Sequence, residues 1–181
     1  MTLKPLALVV GGSRGIGKST ALRLAKSGFD ICLTYHSNEE AAKAVCAEIV
    51  QLGAACQILG FDVGNGKQTD EALSKLMDER APEVVVYNSG IAKDNLMVLM
   101  TRDEWESVIN TNLNGFYNIM HTVLFPMLRE KRGRIVVVSS VSGEVGQAGQ
   151  VNYSASKAGL IGAAKALARE VGKKNILVNV V

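Results

Sequence analysis

The sequence predicts an α/β fold in which a doubly wound parallel sheet carries helices on both faces. Short apolar runs alternate with segments of helical periodicity along all 181 residues, and this alternation is typical of parallel sheets covered on both sides. A glycine-rich turn joins the first apolar run to the first helical segment, as it does in many sheets of this kind. No repeat, low-complexity stretch or linker-like segment interrupts the chain. We therefore expect residues 1–181 to form a single domain.

The first half of the chain predicts three strands and three helices. Apolar runs place the strands at residues 6–10, 31–35 and 56–61. Apolar residues at helical spacing place the helices at residues 15–27, 37–52 and 69–79. Gly28 stops the first helix. Ser37, with Glu40 three residues later, predicts a capping box at the start of the second.

The second half predicts three further strands and two long helices. The strands are residues 84–87, 134–139 and 176–181, and the helices are residues 101–124 and 151–171. A second capping box, Thr101 with Glu104, opens the first of these helices, and Pro126 is expected to end it. The sequence stops in its last apolar run without a cap or polar tail, so we expect the folding unit to continue beyond Val181.

The composition excludes several classes of function. The chain is 48% hydrophobic and 20% charged, and no apolar run reaches the roughly 18 residues of a membrane span. A net charge of +3 from scattered basic residues does not favour nucleic acid. Three cysteines without CxxC spacing suit a reducing compartment, and His36 and His121 are too far apart for a metal site. We expect a cytoplasmic protein that binds no metal, membrane or nucleic acid.

The glycine-rich turn has the spacing Gly-x-x-x-Gly-x-Gly. Its residues are Gly11, Gly12, Ser13, Arg14, Gly15, Ile16 and Gly17. Glycines allow the backbone to approach a pyrophosphate, while the helix N-terminus directs N–H groups and positive dipole at the anion. A glycine-rich loop without a ligand is the alternative. The position between strand and helix favours a dinucleotide held by its phosphates.

The end of the second predicted strand distinguishes NAD from NADP. An acid there binds the ribose 2′-hydroxyl, whereas basic groups accept a 2′-phosphate. The residues at this point are Tyr35, His36, Ser37 and Asn38, with no acid among them. Arg14 lies in the glycine turn, and the later Glu39 and Glu40 are better explained as capping and dipole acids. NADP(H) is therefore the expected cofactor.

Small or polar residues end three other predicted strands at the carboxyl edge of the sheet, where ligands bind in doubly wound folds. They are Asp62 and Val63, then Asn88, Ser89 and Gly90, then Ser139 and Ser140. Such residues at strand ends are often only turn formers. Their shared edge favours adenine contact at Asp62, structural support at Asn88 and a reactive site near Ser140.

Tyr153 and Lys157 stand four residues apart in a predicted helix, which places them on one face. An ammonium in that position favours the ionised form of a phenol and so strengthens the phenol as a proton donor. A surface contact along a helix is the alternative for this spacing alone. Because Ser140 and the glycine turn accompany the pair, we predict proton transfer beside a bound dinucleotide.

Together these motifs resemble the short-chain dehydrogenase/reductase family along the whole sequence. The matched residues are Gly11, Gly15, Gly17, Asp62, Val63, Asn88, Ser89, Gly90, Asn112, Ser140, Tyr153 and Lys157. Segments 91–100 and 150–159 are similar to the 3-oxoacyl-[acyl-carrier-protein] reductases of that family. The resemblance implies a Rossmann-like fold and the NADPH-dependent reduction of a 3-oxoacyl thioester on acyl carrier protein, as in fatty-acid biosynthesis.

The resemblance also implies a role for each matched residue. Tyr153 would protonate the carbonyl oxygen, Ser140 would hydrogen-bond it, and Lys157 would bind the nicotinamide ribose. Asn112 would interrupt the hydrogen bonding of its helix and seat a water that relays protons to Lys157. Besides Tyr153 and Lys157, the expected cofactor-binding residues are Gly11, Ser13, Arg14, Gly15, Ile16, Gly17, His36, Ser37, Asp62, Val63, Asn88, Ser89 and Gly90.

The sequence departs from the family at Val10, where Thr is usual, and at Tyr87, where Asn is usual. We expect these two side chains to be neighbours in which an apolar contact replaces a polar one. The family also continues into a Pro-Gly turn, a substrate lid and a last strand that are absent from this sequence.

The resemblance implies a homodimer or homotetramer in which the predicted helices 101–124 and 151–171 pair subunits. Small residues along the second helix permit close approach, although packing within one subunit explains them equally. An acidic carrier protein would need a basic surface near the mouth of the site. The candidates by position are Lys131, Arg132, Arg134, Lys173 and Lys174, with solvated surface charge as the alternative.

Two other functions fit the sequence. One is the reduction of another small ketone, sugar, quinone or steroid. The other is a non-catalytic subunit that binds nucleotide within an assembly, although the presence of Ser140, Tyr153 and Lys157 speaks against it.

Overall fold

The computed structural model describes residues 4–181 and contains a six-stranded parallel sheet with the order β3-β2-β1-β4-β5-β6. The strands are β1 Leu6–Val10, β2 Asp30–Tyr35, β3 Cys56–Gly60, β4 Val84–Tyr87, β5 Gly133–Val137 and β6 Ile176–Val180. The helices are α1 Gly15–Lys26, α2 Glu39–Gln51, α3 Gly66–Glu79, α4 Arg102–Ile109, α5 Gly115–Glu130, α6 Ser142–Val145 and α7 Val151–Val171. A π-helical turn, Asn110–Asn114, joins α4 to α5, and a 3₁₀ turn, Gly172–Lys174, follows α7. The predicted doubly wound α/β fold is confirmed.

Each face of the sheet carries its own hydrophobic core. On one face, α1 and α2 pack on the sheet through Ala21, Ala25, Ala42, Val45 and Ile49. On the other, α3, α5 and α7 contribute a larger cluster that includes Leu73, Phe116, Ile119, Met127, Leu160 and Leu167. The central strands β1 and β4 consist of apolar and aromatic residues and are buried throughout, as expected when both faces of a parallel sheet are covered.

The order of the strands creates the crevice of the fold. β1 pairs with β2 on one side and with β4 on the other. The connections that leave β1 and β4 therefore run in opposite directions along the sheet. The gap between them, outside the carboxyl ends of the strands, is where ligands bind in open sheets of this type.

Two helix starts differ from the sequence prediction. The cap of α2 is Asn38, whose side chain accepts a 2.9 Å hydrogen bond from the Ala41 N–H, and not Ser37. α3 begins three residues earlier than predicted, because Asn65 caps it by accepting from the Gln68 N–H at 3.1 Å. In both cases an asparagine side chain accepts a hydrogen bond from a free N–H group of the first turn.

The long helix predicted from residue 101 to 124 is wrong in two respects. Its start is confirmed, since Thr101 and Glu104 form the expected capping box. The helix is then divided by the π-helical turn, and Pro126 lies inside α5, which continues to Glu130. A proline removes one backbone donor, and here the burial of Met127 in the larger core holds the helix beyond it.

Among residues 4–181, no helix is long and apolar enough to cross a membrane.

Candidate active site

The glycine turn folds tightly against the neighbouring strand β4. Gly11 and Gly15 have φ of +76° and +54°, a region in which side chains other than glycine are strained. A side chain at Gly17 would collide with the carbonyl oxygen of Gly11. That same oxygen accepts a 2.9 Å hydrogen bond from Asn88 Nδ2. Asn88 thus supports the turn, as the sequence predicted, while Gly17 allows α1 to approach it.

The N-terminus of α1 faces the crevice with its donors free. Arg14, the residue before α1, makes no side-chain cap, and the first turn of the helix contains no acid. The exposed N–H groups and the positive end of the helix dipole therefore favour an anion at this point. The turn fits the pyrophosphate of a dinucleotide.

A cavity of about 790 Å³ extends from this turn across the carboxyl edge of the sheet. Nearly all of the predicted cofactor-binding residues line it: Gly11, Ser13, Arg14, Gly15, Ile16, His36, Ser37, Asp62, Val63, Asn88, Ser89 and Gly90. Gly17, which packs behind the turn, does not line it, and neither do Tyr153 and Lys157. The size and the lining suit an elongated ligand with an anionic centre.

The far end of the cavity carries no acidic group at the end of β2. His36, Ser37 and Asn38 line it there, and Arg14 lines the same cavity. Glu39 and Glu40 lie in the first turn of α2 and pair with Lys43 at 3.1 and 3.3 Å. Their contacts agree with the role of helix-dipole acids.

Asp62 is a turn former that also lines the cavity. Its Oδ1 accepts a 2.9 Å hydrogen bond from the Gly64 N–H, as in a turn former. It also lines the cavity at the carboxyl end of β3. The turn thus fixes a carboxylate where it can meet a ligand.

Lys157 is buried beside Tyr153. Only 3% of Lys157 is exposed, and its Nζ lies 5.5 Å from the centre of the Tyr153 ring. Nζ also donates a 2.8 Å hydrogen bond to the carbonyl of Val138, next to the carboxyl end of β5. Burial lowers the pKa of Lys157 from 10.5 to about 8, because desolvation disfavours the charged amine. The amine of the predicted pair is therefore buried, while Tyr153 is only half-buried.

The segment that carries Ser140 is held against α7 at the same place. Ser139 Oγ donates to the carbonyl of Lys157 at 3.0 Å, and Ser140 Oγ accepts from the Ser142 N–H at 3.1 Å. A side chain at Gly143 would lie 2.7 Å from the Lys157 carbonyl carbon, so only glycine lets α6 approach so closely. This contact places Ser140 at the edge of the sheet near Lys157.

Asn112 lies in the π-helical turn and is completely buried. Its side-chain oxygen accepts from the Ile91 N–H at 2.8 Å, and its Nδ2 donates to the Ile91 carbonyl at 3.0 Å. Nδ2 also donates to Ser156 Oγ at 2.9 Å, and Ser156 Oγ donates to the Tyr153 carbonyl at 2.7 Å. The interruption of regular helix hydrogen bonding expected at Asn112 is present as a π-turn, which often marks a functional position.

Two residues next to the predicted pair were missed. Asn152 is completely buried, accepts from the Tyr153 N–H at 2.7 Å and donates to the carbonyls of Lys93 and Glu104 at 2.9 and 3.1 Å. Ser156, four residues later, is equally buried. Two polar residues at i and i+4 on the packed face of a helix were the signal for both.

The expected neighbours Val10 and Tyr87 are partners in the register of β1 and β4, and both are completely buried. The pair is not wholly apolar, however. The Tyr87 hydroxyl donates a 2.7 Å hydrogen bond to the carbonyl of Thr111 in the π-turn.

The basic residues considered as a docking surface lie at the wrong edge of the sheet. Lys131 and Arg132 immediately precede β5, and Lys173 and Lys174 precede β6. They therefore surround the amino ends of these strands, whereas Ser140 follows the carboxyl end of β5. Arg132 is also paired with Glu83 at 2.9 Å. Within one chain they do not surround the mouth of the site.

Within the part of the chain that the structure describes, no group of three or more His, Cys, Asp or Glu side chains converges as metal ligands.

Comparison with known proteins identifies relatives over nearly the whole chain. A family model described as short chain dehydrogenase matches residues 5–181. A protein of Aggregatibacter actinomycetemcomitans named 3-oxoacyl-[acyl-carrier-protein] reductase FabG is 48% identical over 176 residues, which are 96% of this chain and 73% of that protein. Proteins named 3-oxoacyl-[acyl-carrier-protein] reductase from Staphylococcus epidermidis and Synechocystis sp. are each 40% identical over 97% of this chain and 72% of their own length.

Proposed function

The chain belongs to the short chain dehydrogenase family, and on that premise we propose that it reduces a 3-oxoacyl thioester carried on acyl carrier protein to the 3-hydroxyacyl thioester, with NADPH as the reductant. The family consists of oxidoreductases that bind a nicotinamide cofactor. The observation that carries the proposal is the buried Lys157 ammonium, which lies beside the Tyr153 ring and next to Gly90, a residue that lines the cavity. The printed names of the relatives support the choice of substrate.

The cofactor, when bound, supplies the hydride that reduces the carbonyl carbon. Tyr153 gives its phenolic proton to the carbonyl oxygen, so that a hydroxyl forms and a phenolate remains. The Ser140 hydroxyl donates a hydrogen bond to the same oxygen and holds it in place. A positioned acid contributes about 10² to 10⁴ in rate, and holding the ketone in line contributes by proximity.

Lys157 has two tasks in this proposal. Its ammonium favours the phenolate that remains on Tyr153 and hydrogen-bonds the ribose of the cofactor. Because its pKa is lowered to about 8, it can also pass a proton to that phenolate near neutral pH. Gly90 lies between Lys157 and the π-turn: a methyl group added to it would lie 3.5 Å from Lys157 Nζ and 3.4 Å from Asn112 Oδ1. The π-turn at Asn112 is therefore close to Lys157.

The preference for NADPH follows from charge at the far end of the cavity. A 2′-phosphate placed between Arg14 and His36 would meet a guanidinium and an imidazole, and Ser37 adds a hydroxyl donor. No carboxylate at the end of β2 would receive the 2′-hydroxyl of NADH.

We further propose that residues 1–181 belong to one catalytic domain of a homo-oligomer. Tyr117 and Phe125 of α5 are 64% and 69% exposed, which is unusual for large aromatic side chains and typical of a contact surface. They lie on the helix that the family resemblance assigns to subunit pairing.

The test is the oxidation of NADPH by the purified protein, followed by absorbance, with acetoacetyl-carrier protein, acetoacetyl thioester without carrier, and simple ketones as alternative substrates. We expect turnover with both thioesters and a lower KM for the carrier-bound form. Turnover of simple ketones without activity on either thioester would contradict the proposed substrate. Failure with every ketone, despite tight NADPH binding, would favour a non-catalytic role.

A further inference from the structure

The hydroxyl of Tyr87 reaches from the central sheet into the turn that carries Asn112. Tyr87 is the last residue of β4 and is completely buried. Its ring meets the Phe116 ring edge to face, with centroids 5.6 Å apart. Its Oη donates a 2.7 Å hydrogen bond to the carbonyl of Thr111. The phenol hydroxyl at the end of this core strand therefore hydrogen-bonds the backbone of a different element.

The fold leaves space for this contact. A side chain at Gly115, the first residue of α5, would lie 2.6 Å from the Tyr87 hydroxyl and 2.9 Å from Val63. Because Gly115 has no side chain, the hydroxyl has room at the junction between the π-turn and α5. Burial raises the pKa of Tyr87 far above its ordinary value, with the nearby Asp62 carboxylate adding to the effect. The hydroxyl therefore stays protonated and remains a donor.

The π-turn needs such an external partner. A π-turn widens the helix and replaces the regular i to i−4 hydrogen bonds, so its carbonyls are less well satisfied. Tyr87 satisfies the carbonyl of Thr111, and the next residue, Asn112, is held on its other side by both backbone groups of Ile91. The turn is thus fixed from the sheet and from the loop after β4 at once.

The hydrogen bonds continue from this turn to the proposed acid. Asn112 Nδ2 donates to Ser156 Oγ at 2.9 Å, and Ser156 Oγ donates to the carbonyl of Tyr153 at 2.7 Å. A connected series therefore runs from β4 through the π-turn to the backbone of α7 at Tyr153.

We propose that Tyr87 is a positioning residue of the reduction, which holds the π-helical turn and, through Asn112 and Ser156, fixes the placement of Tyr153. This inference rests on the proposed function. Tyr87 does not touch the reacting atoms, and its effect is transmitted by the hydrogen bonds described above. The step that depends on it is the transfer of the proton from Tyr153, and not the binding of the dinucleotide.

The first test compares Tyr87→Phe, which removes the hydroxyl and keeps the ring, with Ser74→Ala, which removes an exposed hydroxyl from α3. We expect kcat of Tyr87→Phe to fall about tenfold. This is the factor by which the rate changes when the transition state loses the contribution of one ordinary hydrogen bond. KM for NADPH should stay within about twofold of the parent, because Tyr87 does not line the dinucleotide cavity and the glycine turn on its other side is untouched. Ser74→Ala should behave as the parent. An unchanged kcat in Tyr87→Phe would overturn the proposal.

A second measurement separates positioning from general loosening, and it requires no activity. Amide hydrogen exchange of the protein without ligand should accelerate in Tyr87→Phe at residues 110–114, while the amides of β1 and β2 keep their rates. Equal acceleration over the whole sheet would show a global loss of stability and would overturn the proposal. Should the parent prove inactive, the proposed function fails, and this exchange pattern still decides whether Tyr87 anchors the turn.

A third measurement tests the route through Ser156. In a double-mutant cycle, Tyr87→Phe should lower kcat by less than about twofold when Ser156→Ala is already present, because the connection is then broken. A full tenfold effect in that background would show that Tyr87 does not act through Ser156, and would contradict the proposed route.

Discussion

The ammonium of Lys157 lies 5.5 Å from the centre of the Tyr153 ring and donates a 2.8 Å hydrogen bond to the carbonyl of Val138. The bond to Val138 ties the amine to the carboxyl end of the sheet, where Ser140 follows two residues later. Because Lys157 is almost completely buried, its charge is poorly solvated and acts strongly on its neighbours. This arrangement links the stability of the fold to the chemistry proposed for it.

The pH dependence of the reaction should follow the ionisation of Lys157. Its pKa is lowered to about 8, so the amine is charged below that pH and neutral above it. A neutral amine neither favours the Tyr153 phenolate nor returns a proton to it. We therefore predict that kcat for ketone reduction falls as pH rises through about 8, as measured by NADPH oxidation at saturating substrate. A rate that stays constant up to about pH 10 would contradict this assignment.

The same group should cost stability at neutral pH. The pKa of Lys157 is about 8 in the fold against 10.5 for the ordinary amine, so the unfolded chain binds more protons between these values and folding is favoured as pH rises. Below pH 8 this lowering of the pKa corresponds to a loss of roughly 3 kcal/mol in the free energy of unfolding. Replacing Lys157 removes that cost but also removes the hydrogen bond to Val138, which reduces the gain. We predict that Lys157→Met is inactive yet raises the free energy of unfolding at pH 7 by about 1–2 kcal/mol.

Urea unfolding of the parent and of Lys157→Met, at pH 7 and again near pH 9.5, provides the measurement. The difference between the two proteins should shrink at the higher pH, because the parent recovers stability there. A variant that is less stable than the parent at pH 7, or a difference that does not change with pH, would be inconsistent with a desolvated amine.

Arg14 should decide the choice between the two nicotinamide cofactors. A guanidinium that hydrogen-bonds a phosphate contributes about 1.5–3 kcal/mol, so Arg14→Ala should raise the Kd for NADPH at least tenfold and leave that for NADH nearly unchanged. Cofactor fluorescence titration measures both constants. Arg23→Ala, which removes an exposed positive charge from the last turn of the same helix, is the matched control. An equal loss of affinity for both cofactors would place Arg14 away from the 2′-phosphate.

Gly143 should be required for the placement of Ser140. A methyl group at this position would lie 2.7 Å from the Lys157 carbonyl carbon, and backbone cannot yield there as a flexible side chain would. Gly143→Ala should therefore displace α6 and lower kcat about tenfold, while the Kd for NADPH is retained. Gly162→Ala in α7, where an added methyl group meets nothing within 4 Å, is the control and should be fully active. Equal activity of both variants would mean that the position of Ser140 is not critical.

Much of the fold is predictable because buried parallel strands are short apolar runs bounded by glycine or polar residues. β1 and β4 were predicted with their observed bounds, as was α7. The clustering of most of the proposed cofactor-binding residues around one cavity was predictable for a related reason, since the carboxyl ends of all strands meet at one edge of the sheet. The local sequence is sufficient wherever burial and backbone geometry leave few choices.

The features that were not predicted depend on partners distant in sequence. Pro126 continues a helix because Met127 beyond it is buried in the larger core. The bond between Tyr87 and Thr111 joins residues 24 positions apart, and no periodicity signals it. Lys131 and Arg132 were expected near the site, but they precede β5 and so lie at the edge of the sheet opposite to Ser140. In each case tertiary contacts decided what the local pattern left open.

The central claim is that the Tyr153 hydroxyl is the acid of a ketone reduction, and Tyr153→Phe tests it most directly. The substitution keeps the ring beside Lys157 and removes only the proton donor. With acetoacetyl-carrier protein and NADPH, we predict that kcat falls about 10² to 10⁴-fold while the Kd for NADPH, measured by fluorescence, changes less than about threefold. A variant that binds NADPH as the parent does and turns over at the parental rate would contradict the account.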